Sequence, residues 1–473
     1  MTTETPAHSE SARQWVHVGS GLFALALRVL TPWQAAAMAA TALVFNVVLL
    51  PRVGGRRLYR PADDVRGFPL GILLYPLSVL LLTLIFPSRL DIAAAAWGIL
   101  AFGDGAATLV GRRRTQEKTA ENAKSAEQDL LPANSASSAV FSGRLPWNRD
   151  KSVAGTLAFI VCGSAGGVAL AWWVRPAIAP LPALAFAIVA PIVAAVLAAL
   201  VETIPVRLDD NMSVPVTAGW VLWIASLMTA ASVTGARDAV LAALPWALGV
   251  NAITGWLGYR AKTVSRSGAI AGALIGSIIY AGGGAAAWAL LLIVFIAASA
   301  ASRLGLARKE QLGIAEERGG RRGAGNAIAN VGVAAAAAIA AVTTPYAPAA
   351  LVALVAALAA GGSDTVASEI GKVWGRSTFL VTTFSRVKPG TPGAMSLEGT
   401  LAGLVAAFAL ATTAAALGLI PQSATLAIVV AATAGALVES ALGATLEGPG
   451  ILNNDMLNFI NTAVAAAVAL AIA

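Results

Sequence analysis

Apolar residues run along this chain in long stretches, broken by short polar segments. Neither a clean 3.6-residue nor a 2-residue alternation organises them. About 20 apolar residues in helical form cross the hydrocarbon core of a bilayer, and in that medium a single segment must satisfy its own backbone hydrogen bonds. The pattern therefore predicts fifteen helical spans, near 18–31, 33–50, 68–86, 91–110, 153–174, 178–201, 214–233, 238–258, 268–281, 285–302, 325–343, 347–363, 398–418, 423–446 and 457–473. The first and ninth are short enough to be re-entrant. The expected fold is all-α and polytopic, with about 15 transmembrane helices.

Composition agrees with the pattern. Hydrophobic residues make up 58% of the 473 positions and charged residues 12%, well under the roughly 25% charged of a soluble domain, and the mean hydropathy is +0.76. The net charge of +8 belongs to loops and does not suggest nucleic acid. With the N-terminus inside, 28 of the 32 Lys and Arg residues fall on the cytoplasmic side, all but Arg28, Arg89, Arg175 and Arg237. That bias follows the positive-inside rule and places the C-terminus outside. Cys162 is the single cysteine, which excludes an intrachain disulfide and a cysteine metal site. Met1 to Arg13 is polar and lacks the basic start of a cleaved signal peptide. Richness in Ala, Gly and Arg points to a GC-rich bacterial genome, hence to a bacterial inner membrane. The stretch Thr115–Ser142 reads as a disordered insertion.

Two acid-bearing segments stand out. Gly361-Gly362-Ser363-Asp364 ends one apolar run and Gly103-Asp104-Gly105 ends another. Each Asp is followed by a hydroxyl residue at +4 (Thr108, Ser368) and by Gly at +7 (Gly111, Gly371), then a cation, Arg112 or Lys372. Offsets of four and seven share a helix face. The two acids close the fourth and twelfth spans, so the copies run parallel: seven spans, a linking span, and seven more. After each acid comes Ser-x-x-Gly-Thr-Leu-Ala, from Ser152 and from Ser396, then Glu202 or Glu439, then an Asp/Asn cluster, Asp209-Asp210-Asn211 or Asn453-Asn454-Asp455.

Acids and amides at a water-facing helix edge suit Mg²⁺, which takes oxygen ligands and keeps waters. Lysine and arginine beside them suit phosphate, and a Ser or Thr opening a helix exposes free N–H groups to anions. Metal, cations and an anion-binding helix start are the equipment of phosphoryl transfer. The basic loop Arg308 to Asn326 fits a diphosphate or triphosphate, and Arg13 and His17 lie one turn apart before the first span. There is no Gly-x-x-x-x-Gly-Lys-Ser/Thr and no His-Arg-Asp kinase set, which disfavours P-loop and protein-kinase chemistry.

The stretches Arg13–His17, Gly103–Ala107, Leu145–Thr156, Glu202 and Asp209–Pro215 resemble the phytol kinase and dolichol kinase family. Ser267–Ala269, Gly313–Asn330, Gly362–Gly371, Ser396–Thr400 and Asn453–Phe459 resemble the membrane family that includes plant phytyl-phosphate kinase. The resemblance implies a fusion of two consecutive salvage kinases: residues 1–235 as the phytol/dolichol kinase-like domain, 236–262 as the linking helix, and 263–473 as the phytyl-phosphate kinase-like domain. It implies CTP as phosphate donor, with ATP or another nucleotide as the alternative, Mg²⁺ as cofactor, and a lipid-like isoprenoid alcohol as substrate. On this reading Asp104, Lys151, Glu202, Asp364, Glu369 and Glu439 are catalytic. Arg13, His17, Arg112, Ser152, Arg318, Arg321, Arg322, Asn326, Lys372, Lys388, Ser396 and Glu398 contact nucleotide or phosphate. Asp104, Asp210, Asn211, Asp364, Asn454 and Asp455 hold metal. Two positions depart from the pattern: Met395 stands opposite Lys151, leaving Lys388 to substitute, and Gln14 stands where a lysine is expected. A cytidylyltransferase making a CDP-lipid is the second enzyme reading. A transporter is the reading from another class, disfavoured because transporters place polar groups near the midplane.

Overall fold

The computed structural model describes residues 10–53, 59, 63, 67–111, 143–176, 183–204, 209–311, 313 and 321–473. Within it the chain forms two compact units, Met1–Ser226 and Leu227–Ala473. Helices dominate both; the described strands are one antiparallel pair, β1 (Thr378–Leu380) and β2 (Ala394–Ser396). Among the described residues eleven helices are long and apolar enough to cross a membrane.

In the first unit, α1 (Glu10–Ser20) runs into a 3₁₀ turn, Gly21–Arg28. The span expected near 18–31 is thus only this short turn. Its start is pressed onto the next layer: a Cβ on Gly21 would lie 2.5 Å from the Ala101 Cβ. Helix α2 (Pro32–Val44) opens with a reciprocal capping box between Thr31 and Gln34. Then come α3 (Leu70–Ile85), α4 (Leu90–Gly111), α5 (Val153–Val174), α6 (Leu184–Thr203) and α7 (Asp210–Leu227). Helix α4 is the centre of this unit. Ala93 to Ala96, Ile99 and Leu100 are all at most 2% exposed. Glycines let α5 press against it: a Cβ on Gly98 would meet the Gly166 carbonyl at 2.8 Å, and one on Gly155 the Ala107 carbonyl at 2.9 Å. Lipid tails are as apolar as the side chains they surround, so such close small-residue packing holds membrane helices together.

The second unit comprises α8 (Ala230–Arg260), α9 (Arg266–Arg303), α10 (Leu306–Gln311), α11 (Ala324–Thr343), α12 (Ala347–Trp374), α13 (Leu397–Ala416), α14 (Thr425–Leu442) and α15 (Asn454–Ile472). Its centre is α12, where Leu354 to Ala360 are at most 1% exposed. The helix expected as a linker, α8, belongs to this unit. Helix α9 is two arms. Gly284 interrupts it at φ +78°, ψ 179°, a backbone open to glycine alone. A straight 38-residue helix would be about 57 Å long. Arg303 instead donates to the Ala261 carbonyl at 3.0 Å, beside the other end. The arms fold back on each other, as the separate spans 268–281 and 285–302 anticipate.

Candidate functional site

In the first unit the chemistry collects where four segments end. Helix α4 changes to π-helical winding over Ile99–Asp104; such single wide turns are often found at functional sites. Asp104 closes that turn. Opposite, the loop from Gly143 to Ser152 is folded by its own backbone: Leu145 N–H donates to the Lys151 carbonyl at 3.0 Å, and Val153 N–H to the Gly143 carbonyl at 2.8 Å. Asn148 ties the loop to α6 through the Thr203 carbonyl at 3.2 Å. This delivers Lys151, whose ammonium donates to Glu202 at 2.5 Å and to Asp210 at 2.9 Å. Burial alone would lower the Lys151 pKa, but the Asp210 and Glu202 carboxylates outweigh it and hold the ammonium above the ordinary lysine range.

Asp104, Glu202 and Asp210 each offer a carboxylate oxygen within 4.8 Å of the others. Three oxygen donors at this spacing, at a polar helix edge, fit a hard divalent cation such as Mg²⁺. His17 lies 3.5 Å from Asp104 and 3.3 Å from the Leu100 carbonyl. Burial pushes its pKa down despite the Asp104 charge, so the ring is neutral near pH 7. Asn211 is buried and held by Asp209, which accepts from its amide at 2.8 Å. Gly71 provides room for Arg13 and Asn211, which a Cβ there would meet at 2.8 Å and 3.1 Å. Ser152 caps α5, accepting from Gly155 N–H at 3.0 Å.

The second unit repeats some of these contacts and changes others. Ser396, at the end of β2, caps α13 by accepting from Gly399 N–H at 3.1 Å. A Cβ on Gly371 would lie 2.9 Å from the Ser396 Oγ, as one on Gly111 would lie 3.2 Å from the Ser152 Oγ. The +7 glycine in both motifs therefore makes room for the capping serine. The +4 hydroxyl does not share this face in the second motif: Ser368 is exposed, while Glu369 beside it is buried. Glu369 binds Lys309, 1% exposed, and accepts from Lys372 at 2.9 Å. Lys309 also donates to the Ala301 and Ser302 carbonyls at 3.2 Å and 3.1 Å, at the end of α9.

Lys309 lies in the basic stretch expected to meet phosphate from solvent, and it is instead a buried ion-pair partner. Asp364 and Glu439 are half-buried and interact through their charges. Near them the buried Asn461 fills space left by Gly435, whose Cβ would meet its Oδ1 at 2.4 Å. Asn461 lies against Glu439 as its side-chain hydrogen-bonding neighbour, and one oxygen of Glu439 is buried there.

The remaining expected residues are spread out. Glu398 accepts from the Arg376 backbone N–H at 3.3 Å. Asn454 and Lys388 are exposed, and the helix cap of α15 is Asn453. Arg321 is exposed, whereas Arg322 pairs through its backbone with Thr263 and Ser265. Asn326 accepts from the Asn330 amide at 3.0 Å through its carbonyl. Asp455 lies in the first turn of α15. Arg112, Arg318 and the 115–142 insertion lie outside the described residues. Lys309 and Asn461 escape motif reading. The available signals were a lysine 60 positions before an acid on a membrane helix, and an amide three residues after Asn458 in an apolar run.

Such a helical assembly, with its charges gathered at helix ends, defines an integral multi-pass membrane protein. Residues 249–466 match the family described as integral membrane protein DUF92. An uncharacterized membrane protein of Synechocystis is 41% identical over 202 residues, 42% of this chain and 78% of that protein. The chain belongs to this family. The chloroplast protein VTE6 of Arabidopsis thaliana is 39% identical over 214 residues, 44% of this chain. The chain spans 64% of that relative's length. A probable phytol kinase 2 of Oryza sativa chloroplasts is 32% identical over 160 residues, 33% of this chain and 43% of the relative. No solved structure matches.

Proposed function

We propose that this protein is an isoprenoid-alcohol kinase with two phosphorylation sites, one per unit, working at the cytoplasmic face of a bacterial inner membrane. The observation that carries the reading is the convergence of Asp104, Glu202 and Asp210 around Lys151. The phytol kinase named among the relatives supports the substrate class. In the first unit the hydroxyl oxygen of a phytol- or geranylgeraniol-type alcohol attacks the γ-phosphorus of CTP or another nucleoside triphosphate. The bond from γ-phosphorus to the bridging oxygen breaks, the nucleoside diphosphate leaves, and a cluster carboxylate takes the hydroxyl proton.

Lys151 neutralises phosphate charge, the Ser152 cap leaves helix-start N–H groups for an anion, and His17 positions Asp104. Asp104, Glu202 and Asp210 would hold Mg²⁺, which supplies charge neutralisation to the transferring phosphate. In the second unit Asp364, Glu439 and Lys372 would act on the monophosphate to give the diphosphate. The two units are then successive enzymes in one chain.

The test is an assay of purified protein with labelled geranylgeraniol, Mg²⁺, and CTP or ATP. Wild type is expected to make the diphosphate, Asp364→Asn to stop at the monophosphate, and Asp104→Asn to make neither from alcohol. Release of pyrophosphate in place of the nucleoside diphosphate would assign a cytidylyltransferase instead.

A further inference from the structure

Asp104 sits between two glycines, and their neighbours explain both. A Cβ on Gly103 would lie 2.9 Å from the Phe159 ring of α5, and one on Gly105 would overlap Val18 of α1. Helix α1 therefore lies directly on the end of the π-helical turn Ile99–Asp104. Its polar side faces inward: Gln14 is buried, whereas Trp15 and Val16 are exposed. From this side the His17 Nε2 faces the Leu100 carbonyl at 3.3 Å and the Asp104 carboxylate at 3.5 Å. Both are acceptors, so Nε2 carries the ring proton. His17 is itself held from α3. The Tyr75 ring meets the imidazole edge to face, with centroids 4.6 Å apart and planes at 72°. The Tyr75 hydroxyl accepts from the Trp97 indole N–H at 2.7 Å. That leaves its own proton for α1, where it meets Ser20 and the His17 carbonyl, the latter at 3.5 Å. Ser20 in turn donates to that carbonyl at 2.7 Å. Tyr75 and Trp97 are both buried. Trp97 and Asp104 bracket the π-helical turn on α4, so these contacts close a ring from α4 to α3 to α1 and back to α4.

We infer that Tyr75, fixed by Trp97, is a positioning residue for the carboxylate cluster: through His17 it braces the wide turn that aims Asp104 at Glu202 and Asp210. A π turn is a rare, local departure from α winding, and the apolar residues of α4 give it no reason to form. A buried Tyr–Trp pair would satisfy its own polar groups in any core. Here the same pair also grips the one ring that touches Asp104 from α1. The inference rests on the kinase reading for what the cluster does; the brace itself does not depend on it.

Tyr75→Phe supplies the test, since it keeps the ring and removes the hydroxyl. Thr83→Val is the control: Thr83 is a buried hydroxyl residue of α3 that donates to the Leu80 carbonyl of its own helix at 2.8 Å. Melting temperatures of the full chain in lipid nanodiscs are measured for Tyr75→Phe, His17→Gln and Asp104→Asn, singly and in pairs. The shift caused by Tyr75→Phe is expected to be largely lost when His17→Gln or Asp104→Asn is already present, because residues in one network do not act additively. The shift from Thr83→Val is expected to add in full. Geranylgeraniol phosphorylation gives the second readout. Tyr75→Phe is expected to lower kcat about tenfold, the size of one lost hydrogen bond, and to raise the Mg²⁺ concentration for half-maximal rate, with the KM for the alcohol unchanged. Trp97→Phe is expected to give the same pattern and to add nothing to Tyr75→Phe. Additive melting shifts overturn the inference. Wild-type kcat and Mg²⁺ dependence in Tyr75→Phe also overturn it, and leave the kinase reading in place. Coupled melting shifts in a chain that transfers no phosphate keep the brace and remove the kinase.

Discussion

Lys151 in the first unit and Lys309 in the second are both lysines brought to carboxylates at helix ends, and they sit in opposite surroundings. The Lys151 side chain is 27% exposed and spans Glu202 and Asp210. Lys309 is 2% exposed at its side chain, sealed against Glu369 and two backbone carbonyls. An ion pair open at one side can exchange a partner for an incoming anion. A sealed pair cannot, and its removal leaves a desolvated charge behind. The lysine that reads as chemistry in one unit is therefore matched in the other by a lysine that belongs to the fold. In the second unit Asp364 and Glu439 are half-buried, and Lys372 pairs with Glu369 from the partly exposed side.

The sharpest way to break this contrast is Lys309→Met, which strands Glu369 without its buried partner. Orphaning one member of a buried pair costs about 3–5 kcal/mol, so a large fall in melting temperature in detergent is expected, with substantial recovery in the double variant carrying Glu369→Gln. Lys151→Met puts the first unit in the chemical condition of the second, where Met395 stands at the matching position. Its expected signature is the reverse: melting within a few degrees of wild type, and a loss of about 10²–10³-fold in alcohol phosphorylation, the size seen for one preorganised charge-stabilising group. If the two variants behave alike, the distinction between the lysines fails. The smallest effect separates the two helix caps. Ser152→Ala and Ser396→Ala each remove a side-chain cap at about 1 kcal/mol. Ser396 is buried, so thermal melts are expected to show the larger shift there.

Much of the architecture was legible because bilayer length and the backbone's need for internal hydrogen bonds leave few choices. The expected span 153–174 coincides with α5, and 325–343 differs from α11 by one residue. The gathering of Asp104, Lys151, Glu202 and Asp210 was legible for the same reason. Each closes or precedes an apolar run, and the ends of neighbouring spans on one side are near each other. What escaped depends on partners distant in sequence. Lys309 sits in a run of charges that looks solvated, and only Glu369, two helices later, explains its burial. The 3₁₀ turn at Gly21–Arg28 looks like a short span because its residues are apolar. Its contact with Ala101 decides otherwise. The π-helical turn ending at Asp104 carries no composition signal at all.

The Lys309–Glu369 pair also sets a condition on biogenesis. Its members lie on opposite sides of α11 in the chain, 60 residues apart, so a growing polypeptide exposes the lysine well before the glutamate is synthesised. An unpaired charge at a membrane helix costs roughly 2.5–3.5 kcal/mol near the bilayer centre and less near its surface. Lys309 must therefore wait at the aqueous edge until α12 arrives. The contacts by which Lys309 joins α9 and α12 are therefore complete only once α12 has been synthesised, with α13, α14 and α15 still to follow.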